Sequence, residues 1–213
     1  MIHFVMKKIL VTIALGLVVS QIYAQAVEVY AGHKRAGVDL LWYKFFEKKS
    51  EGRSPLLFFS RNRASTDWDN SPTAFGSTNA VSYNFKSGVG LVAVGSFLNA
   101  GFTPKAGVQL VKMKGDFLFF GWFVADLKKE GNLDLFGLLR WQPKVGEHWR
   151  AFSQVELFPV FNPKNEFWNL TQRLRLGAKY HAWAAGFMAD FNQAGKSDFA
   201  KTNNIGGFLR HDF

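Results

Sequence analysis

Beyond residue 26 the apolar side chains recur at every second position. No stretch sustains the spacing of three and four that marks an amphipathic helix. Trp168, Leu170, Leu174, Leu176 and Ala178 stand against Asn169, Thr171, Arg173, Arg175 and Lys179. The same alternation sets Leu133, Leu135, Gly137, Leu139 and Trp141 against Asp134, Arg140 and Gln142, and Phe75, Val81, Tyr83 and Phe85 against Thr78, Ser82, Asn84 and Lys86. Gly, Pro, Asn or charged clusters break it at short intervals, as turns do between strands. The pattern predicts an all-β chain with twelve strands near 27–33, 37–47, 55–63, 73–86, 89–102, 104–114, 117–127, 132–142, 148–159, 166–180, 181–192 and 203–213. Strands 89–102 and 117–127 are apolar on both faces.

The polarity of the two faces decides what kind of β protein this is. A secreted sandwich or lipocalin-like barrel would bury one face and wet the other with Lys, Glu, Thr and Ser. Here the larger face is Trp, Leu, Phe, Val and Ala, and the polar face is small, which suits a lumen. In a bilayer every backbone polar group must be paired within the protein, and a closed barrel does this without a free edge. A spanning strand takes about 9–11 residues, so twelve strands with connections of about five or six residues fit the length. The expected fold is a transmembrane antiparallel β-barrel of 12 strands, with 10–14 as the range. Tight turns at Lys86-Ser87-Gly88, Lys114-Gly115-Asp116 and Tyr180-His181 alternate with longer stretches such as Asn99 to Pro104, Asn162 to Asn165 and Gln193 to Asn204. Outer-membrane barrels have short periplasmic turns and longer outer loops, which places the C-terminus on the periplasmic side.

The N-terminus reads differently. Lys7 and Lys8 precede an apolar run from Ile9 to Val19, and Ala24-Gln25-Ala26 closes it as an A-x-A cleavage pattern. This is the layout of a secretory signal peptide, too short to cross a bilayer. The predicted division is a signal peptide over 1–26 and one barrel domain over 27–213. The chain has no Cys, which excludes a disulfide framework, a thiolate metal site and a Cys nucleophile. Its 23 Phe and 7 Trp belong with lipid-facing walls, and Trp141, Trp149, Tyr180 and Trp183 fall near proposed periplasmic turns, where interface girdles sit.

The C-terminus carries the sharpest motif. Ile205, Leu209 and Phe213 lie at alternate positions of the last strand, with His211 and Gly207 as weaker members. A terminal Phe behind such a pattern resembles the assembly signal of bacterial outer-membrane β-barrels. In size the chain resembles the small twelve-stranded channels, such as the oligogalacturonate-specific porins and the nucleoside channel. The resemblance implies a cell outer membrane location in a Gram-negative-type bacterium after signal-peptide cleavage. It implies membrane lipid, lipopolysaccharide and the barrel-insertion machinery as partners.

Chemistry concentrates on arginine. Arg140, Arg150, Arg173 and Arg175 share the polar parity of three consecutive strands, with Asp134, Glu156 and Asn169 on the same side. Folding the strands about their connections sets Arg140 opposite Arg150 and Arg150 opposite Arg175, with Asp134, Glu156 and Asn169 at a second level. Arg61, Arg63, Lys112 and Arg210 are further candidates. Like charges on neighbouring strands repel, and a water-filled lumen attracting anions would give such a row a purpose. The expected function is a narrow passive channel, porin-like, for small anionic solutes. The alternatives are a non-conducting structural or partner-binding barrel, with those arginines paired internally, and a lipid-modifying outer-membrane enzyme. His33, His148, His181 and His211 form no pair at metal-ligand spacing, and neither a His-x-Ser pair nor a G-x-S-x-G elbow occurs. The sequence therefore points to no enzyme activity, no catalytic residue, no metal and no cofactor. The net charge of +10 is spread over turns rather than gathered in a basic domain, so nucleic acid is not an expected partner, and a monomer is expected.

Overall fold

The structure is a computed structural model that describes residues 25–48, 52–69, 74–99, 101–128 and 131–213. The predicted signal segment, up to residue 24, lies outside the described residues. These form twelve strands: β1 (Ala26–Gly32), β2 (Arg35–Lys48), β3 (Gly52–Asp67), β4 (Ala74–Asn84), β5 (Val89–Leu98), β6 (Gly101–Lys114), β7 (Phe117–Asp126), β8 (Leu133–Trp141), β9 (Trp149–Asn162), β10 (Phe167–Tyr180), β11 (Trp183–Gly195) and β12 (Phe199–Asp212). Each pairs antiparallel with its sequence neighbour, and β1 pairs with β12 from Ala26↔Asp212 to Gly32↔Gly206, closing the barrel. All twelve predicted strands are present. β1 begins at Ala26, so the barrel includes one residue assigned to the leader.

The two faces follow from the pleat. Outward positions carry Val29, Leu91, Phe97, Phe123, Leu139, Leu157, Leu176 and Phe187, each more than one-third exposed in the isolated chain. Aromatic residues collect at both rims of this band. At the end holding the chain termini, Phe117 stacks on Trp141 at 5.6 Å, Trp149 meets Tyr180 at 4.9 Å, and His211 lies between Trp183 and Phe213 at 4.5 and 4.4 Å. At the opposite, far end stand Phe75, the Phe97–Phe102 pair at 4.6 Å and the Phe161–Trp168 stack at 4.4 Å. An apolar band flanked by two girdles is the exterior of a transmembrane barrel of the outer-membrane type.

Two loop expectations are corrected. The stretch Gln193 to Asn204 is mostly strand: β11 runs to Gly195 and β12 starts at Phe199, leaving Lys196 to Asp198 as the turn. Likewise β6 starts at Gly101, so Gly101 to Pro104 is strand. Across Gln193 to Asn204 the period-2 signal weakens because polar residues stand on both faces near the far rim, so strand and loop look alike in sequence. The connection from Gln142 to His148 lies at the terminal end, and loop length does not separate the two ends of this barrel.

Inside, β5 and β7 explain their apolar inward faces. Val92, Val94, Phe120, Trp122 and Val124 join Leu57, Phe59, Phe136 and Leu138 in a packed cluster within the barrel. Phe59 stacks on Phe120 at 5.0 Å and meets Trp122 edge-on at 5.2 Å. A second cluster, Tyr30, Phe152, Ala184, Met188 and Phe208, lines the wall near the β1–β12 seam.

Candidate functional site

The remaining interior is ionic, and it links strands that are not neighbours. Arg61 on β3 donates through Nε to Asp39 at 3.0 Å and through Nη1 and Nη2 to Glu156 on β9 at 2.9 and 3.0 Å, spanning the bore. Arg63 donates to the same Asp39, and Arg173 on β10 reaches Glu156 at 3.3 Å. Arg175 donates to Glu28 on β1 at 2.8 Å and to Asp190 on β11 at 2.6 Å. Toward the terminal end, Arg140 donates to Gln154 at 2.7 Å, Gln154 donates to Glu156 at 2.7 Å, and Arg210 donates to Asp212 at 2.7 Å. Arg140 and Arg210 both stand over the Phe152 ring at 5.8 Å. Charge-assisted, partly bidentate bonds of this kind are the strong class of hydrogen bond.

The local reason these groups meet is the pleat together with two space-making glycines. Glu28, Asp39, Arg61, Arg63, Arg173 and Arg175 all occupy inward positions of their strands. Tyr30 lies between Arg63 and Arg175, each guanidinium 5.6 Å from its ring centre. It fits only because Gly37 faces it: a Cβ there would sit 2.5 Å from the Tyr30 hydroxyl. Asn204 fills the space over Gly32, and its Oδ1 accepts from the Lys34 and Arg35 amides at 3.0 and 3.1 Å, fixing the β1–β2 turn against β12.

Above this layer, toward the far end, the bore opens into a cavity of about 310 Å³. Tyr30, Arg63, Arg173 and Asp190 face it from below, and Arg35, Ser65, Thr171, Asn192, Thr202 and Asn204 from the sides. Below it Arg61, Arg63 and Arg173 share Asp39 and Glu156, and Arg175 is held between Glu28 and Asp190, so four guanidiniums balance four carboxylates, and of these Arg63, Arg173 and Asp190 face the cavity. Arg35 is tied to Asp67 at 3.2 Å at the rim.

The sequence-predicted residues divide. Arg140, Arg173, Arg175, Asp134, Glu156 and Asn169 hold inward positions. Arg150 is displaced to the terminal rim, where it binds Asp116 at 2.8 Å and the Gln142 carbonyl at 2.7 Å. The expected facing of Arg140, Arg150 and Arg175 is corrected: Gln154 sits between Arg140 and Arg175, and Lys179 faces Arg150. Glu156 faces Leu138 and Arg173, while Asp134 and Asn169 both flank Val160. Asp134 is held by Lys105, and Asn169 Oδ1 accepts from Asn192 at 2.7 Å. Lys112 is exposed and lies off the inward parity of β6. Sequence reading passed over Glu28, Asp39, Tyr30, Lys105 and Asn204. Glu28 and Asp39 are lone acids between apolar neighbours at a constant parity, and that signal was present.

Fold and interior together define a transmembrane β-barrel with an ionic waist and a far-end cavity. No protein-family profile matches the chain, and no curated protein matches it. Among solved structures it is similar to LpxR from Salmonella typhimurium, at 11% identity over 88% of this chain and 99% of that one, with a TM-score of 0.41. It is also similar to the beta domain of the Bordetella autotransporter Brka, at 9% identity over 89% and 99% of the two chains, with a TM-score of 0.33. Likenesses of this size carry no inference about activity.

Proposed function

We propose that this protein is an outer-membrane binding barrel, closed to free diffusion, which takes a small anionic solute in its far-end cavity. One observation carries the reading: charged groups beneath the cavity floor are buried, while Arg61, Arg63 and Arg173 keep side-chain exposures of 13%, 16% and 21%. Arg175 is 2% exposed, Glu156 3% and Arg140 7%, and a water-filled bore would leave such side chains wet. Arg63 and Arg173 on the cavity floor, beside the single carboxylate of Asp190, favour a carboxylate or phosphate, because planar donor pairs match those oxygens. The volume is at the small end of ligand pockets and suits a single charged sugar rather than a chain. Ser65, Thr171 and Thr202 supply hydroxyls that can bond the solute's own hydroxyls.

A second reading is the passive anion channel. It is favoured by the run of cations below the cavity, from Arg63 and Arg173 through Arg61 and Arg175 to Arg210 and Lys179, which would steer anions if the waist opened. Two measurements separate the readings. Purified barrel in planar bilayers should give no steady conductance step. Calorimetric titration in detergent should show binding of glucose 6-phosphate and none of glucose, with Arg173→Gln weakening it about tenfold or more. Steady anion-selective steps would establish the channel instead, and equal behaviour of the two sugars would end the binding reading.

A further inference from the structure

Four polar side chains share the outward parity of the β3–β4 wall, and one of them, Ser60, is buried beside Trp42 and Asn62. The outward positions of β3 and β4 are those of Leu56, Phe58, Val81 and Tyr83, and the same parity carries Ser60, Asn62, Ser77 and Asn79. The register sets Ser60 opposite Asn79 and Asn62 opposite Ser77, so the four make a square across two strands. Asn62 donates to Ser60 Oγ at 3.1 Å and Asn79 to Ser77 Oγ at 3.1 Å. Each amide thereby uses one of its two N–H groups, and among the described residues neither Oδ1 has a partner. Ala64 and Phe75 bracket the square on the far side, Phe58 and Val81 on the other, so it lies inside the apolar band. Lipid offers these amides nothing to bond, and polar groups within a membrane face a partner, a cavity or the protein interior.

We propose that this square is the contact surface of a homodimer, a second copy of the chain being its occupant. A carboxamide is donor and acceptor at once, so its best complement is another carboxamide. A two-fold axis along the membrane normal sets β3 of one copy against β4 of its partner at equal height. The register makes that geometry fit. A row of paired residues climbs the barrel toward higher-numbered strands: from Glu28 near the termini through Asp39, Arg63 and Gly76 to Leu98 and Gly101 at the far end. Ser77 on β4 therefore stands above its row partner Asn62 on β3. Asn79, two residues nearer the terminal end, comes level with Asn62. The square stands on one corner, with Ser77 above, Ser60 below and the two asparagines side by side. Rotation about the axis brings Asn62 of each copy to Asn79 of the other, giving two reciprocal amide pairs, with the serines near the axis. Gly95 and Ala93 lie beside Asn79 and Val81 on β5, so the wall is low there and the backbones can approach.

The chain has no Cys, so a single introduced one reports by itself. Ser77→Cys, near the axis, should form a disulfide-linked dimer on oxidation in membranes, and Leu157→Cys, on β9 of the opposite wall, should not. Photobleaching step counts in lipid vesicles should give two copies for wild type. Asn62→Leu with Asn79→Leu should weaken association about tenfold or more, with the barrel still shifting mobility on heating in detergent gels. A wild-type monomer in vesicles, a dimer unaffected by the double leucine change, or cross-linking of Ser77→Cys to a different membrane protein would each overturn the proposal.

Discussion

Arg175 and Arg150 look alike in sequence, each an arginine on the polar parity of a strand, yet they occupy opposite environments. Arg175 is enclosed between Glu28 and Asp190, and removing it leaves the buried Glu28 carboxylate and the Asp190 carboxylate at the cavity floor without it. Breaking a buried ion pair by deleting one partner costs about 3–5 kcal/mol, whereas an exposed pair such as Arg150–Asp116 contributes about 0–1 kcal/mol. We expect Arg175→Ala to lower the temperature at which the folded form converts on detergent gels, and Arg150→Ala to leave it nearly unchanged. Equal shifts would remove the distinction. The parity of both residues was legible in the alternation; their height was not, because height depends on where each connection reverses the chain. After β8 the ladder continues through a Lys144↔Arg150 bridge and a Val145 amide bonded to the Trp149 carbonyl at 3.0 Å, so the turn tip lies beyond Val145. After β9, Asn162 Oδ1 accepts from the Lys164 and Asn165 amides, and Glu166 takes a φ of 55°. Both tips sit two residues later than the midpoints that the sequence suggests, which slides each pairing by four and carries Arg150 away from Arg140.

At the scale of single elements the closing strand was readable in its terminal pattern, though its first four residues, Phe199 to Thr202, read as loop. Ile205, Leu209 and Phe213 all face outward and are exposed, as the terminal signature requires. The Phe213 amide donates to the Gln25 carbonyl at 3.1 Å and its ring meets His211, so the last residue also touches the seam. If insertion reads this edge, deleting Phe213 should lower the amount of heat-modifiable protein recovered in the outer membrane. Gly207 and His211 interrupt the apolar series, so the expected loss is partial. Unchanged recovery would make Phe213 an ordinary terminal residue. Strand β1 was the hardest to read, at only seven residues. Its inward Glu28 breaks the apolar run, yet that carboxylate is what ties the seam to Arg175 on β10. The apolar inward faces of β5 and β7 were legible as apolar but not as lumen filling, because lipid and a packed interior select the same residue types.

Across the whole molecule, twelve strands enclose more room than the eight whose side chains alone just fill a barrel. This barrel fills the extra room in two halves, an aromatic one from β3, β5, β7 and β8 and an ionic one from β1, β9, β10 and β12. The halves meet on β3, where Phe59 and Arg61 are successive inward residues. This division predicts what emptying the aromatic half would do. Changing Phe120 and Trp122 together to Ala removes two rings that pack on Phe59 but touches neither the interstrand hydrogen bonds nor the lipid-facing band. In a water-soluble core each such truncation costs about 3–5 kcal/mol; here the new space borders Arg61 and can admit water, which reduces that cost. The double variant should therefore remain heat-modifiable and give a steady conductance, which the closed-barrel proposal denies to the wild type. Arg61 and Arg63 would then border the water path, so the current should be carried by anions. The preference should be stronger at low salt, since at about 0.1 M the Debye length of ~10 Å already screens exposed charges. A folded variant that stays silent would show that the ionic half closes the bore alone. A cation-selective current would show that the arginines, neutralised by Asp39 and Glu156, do not set the field along it.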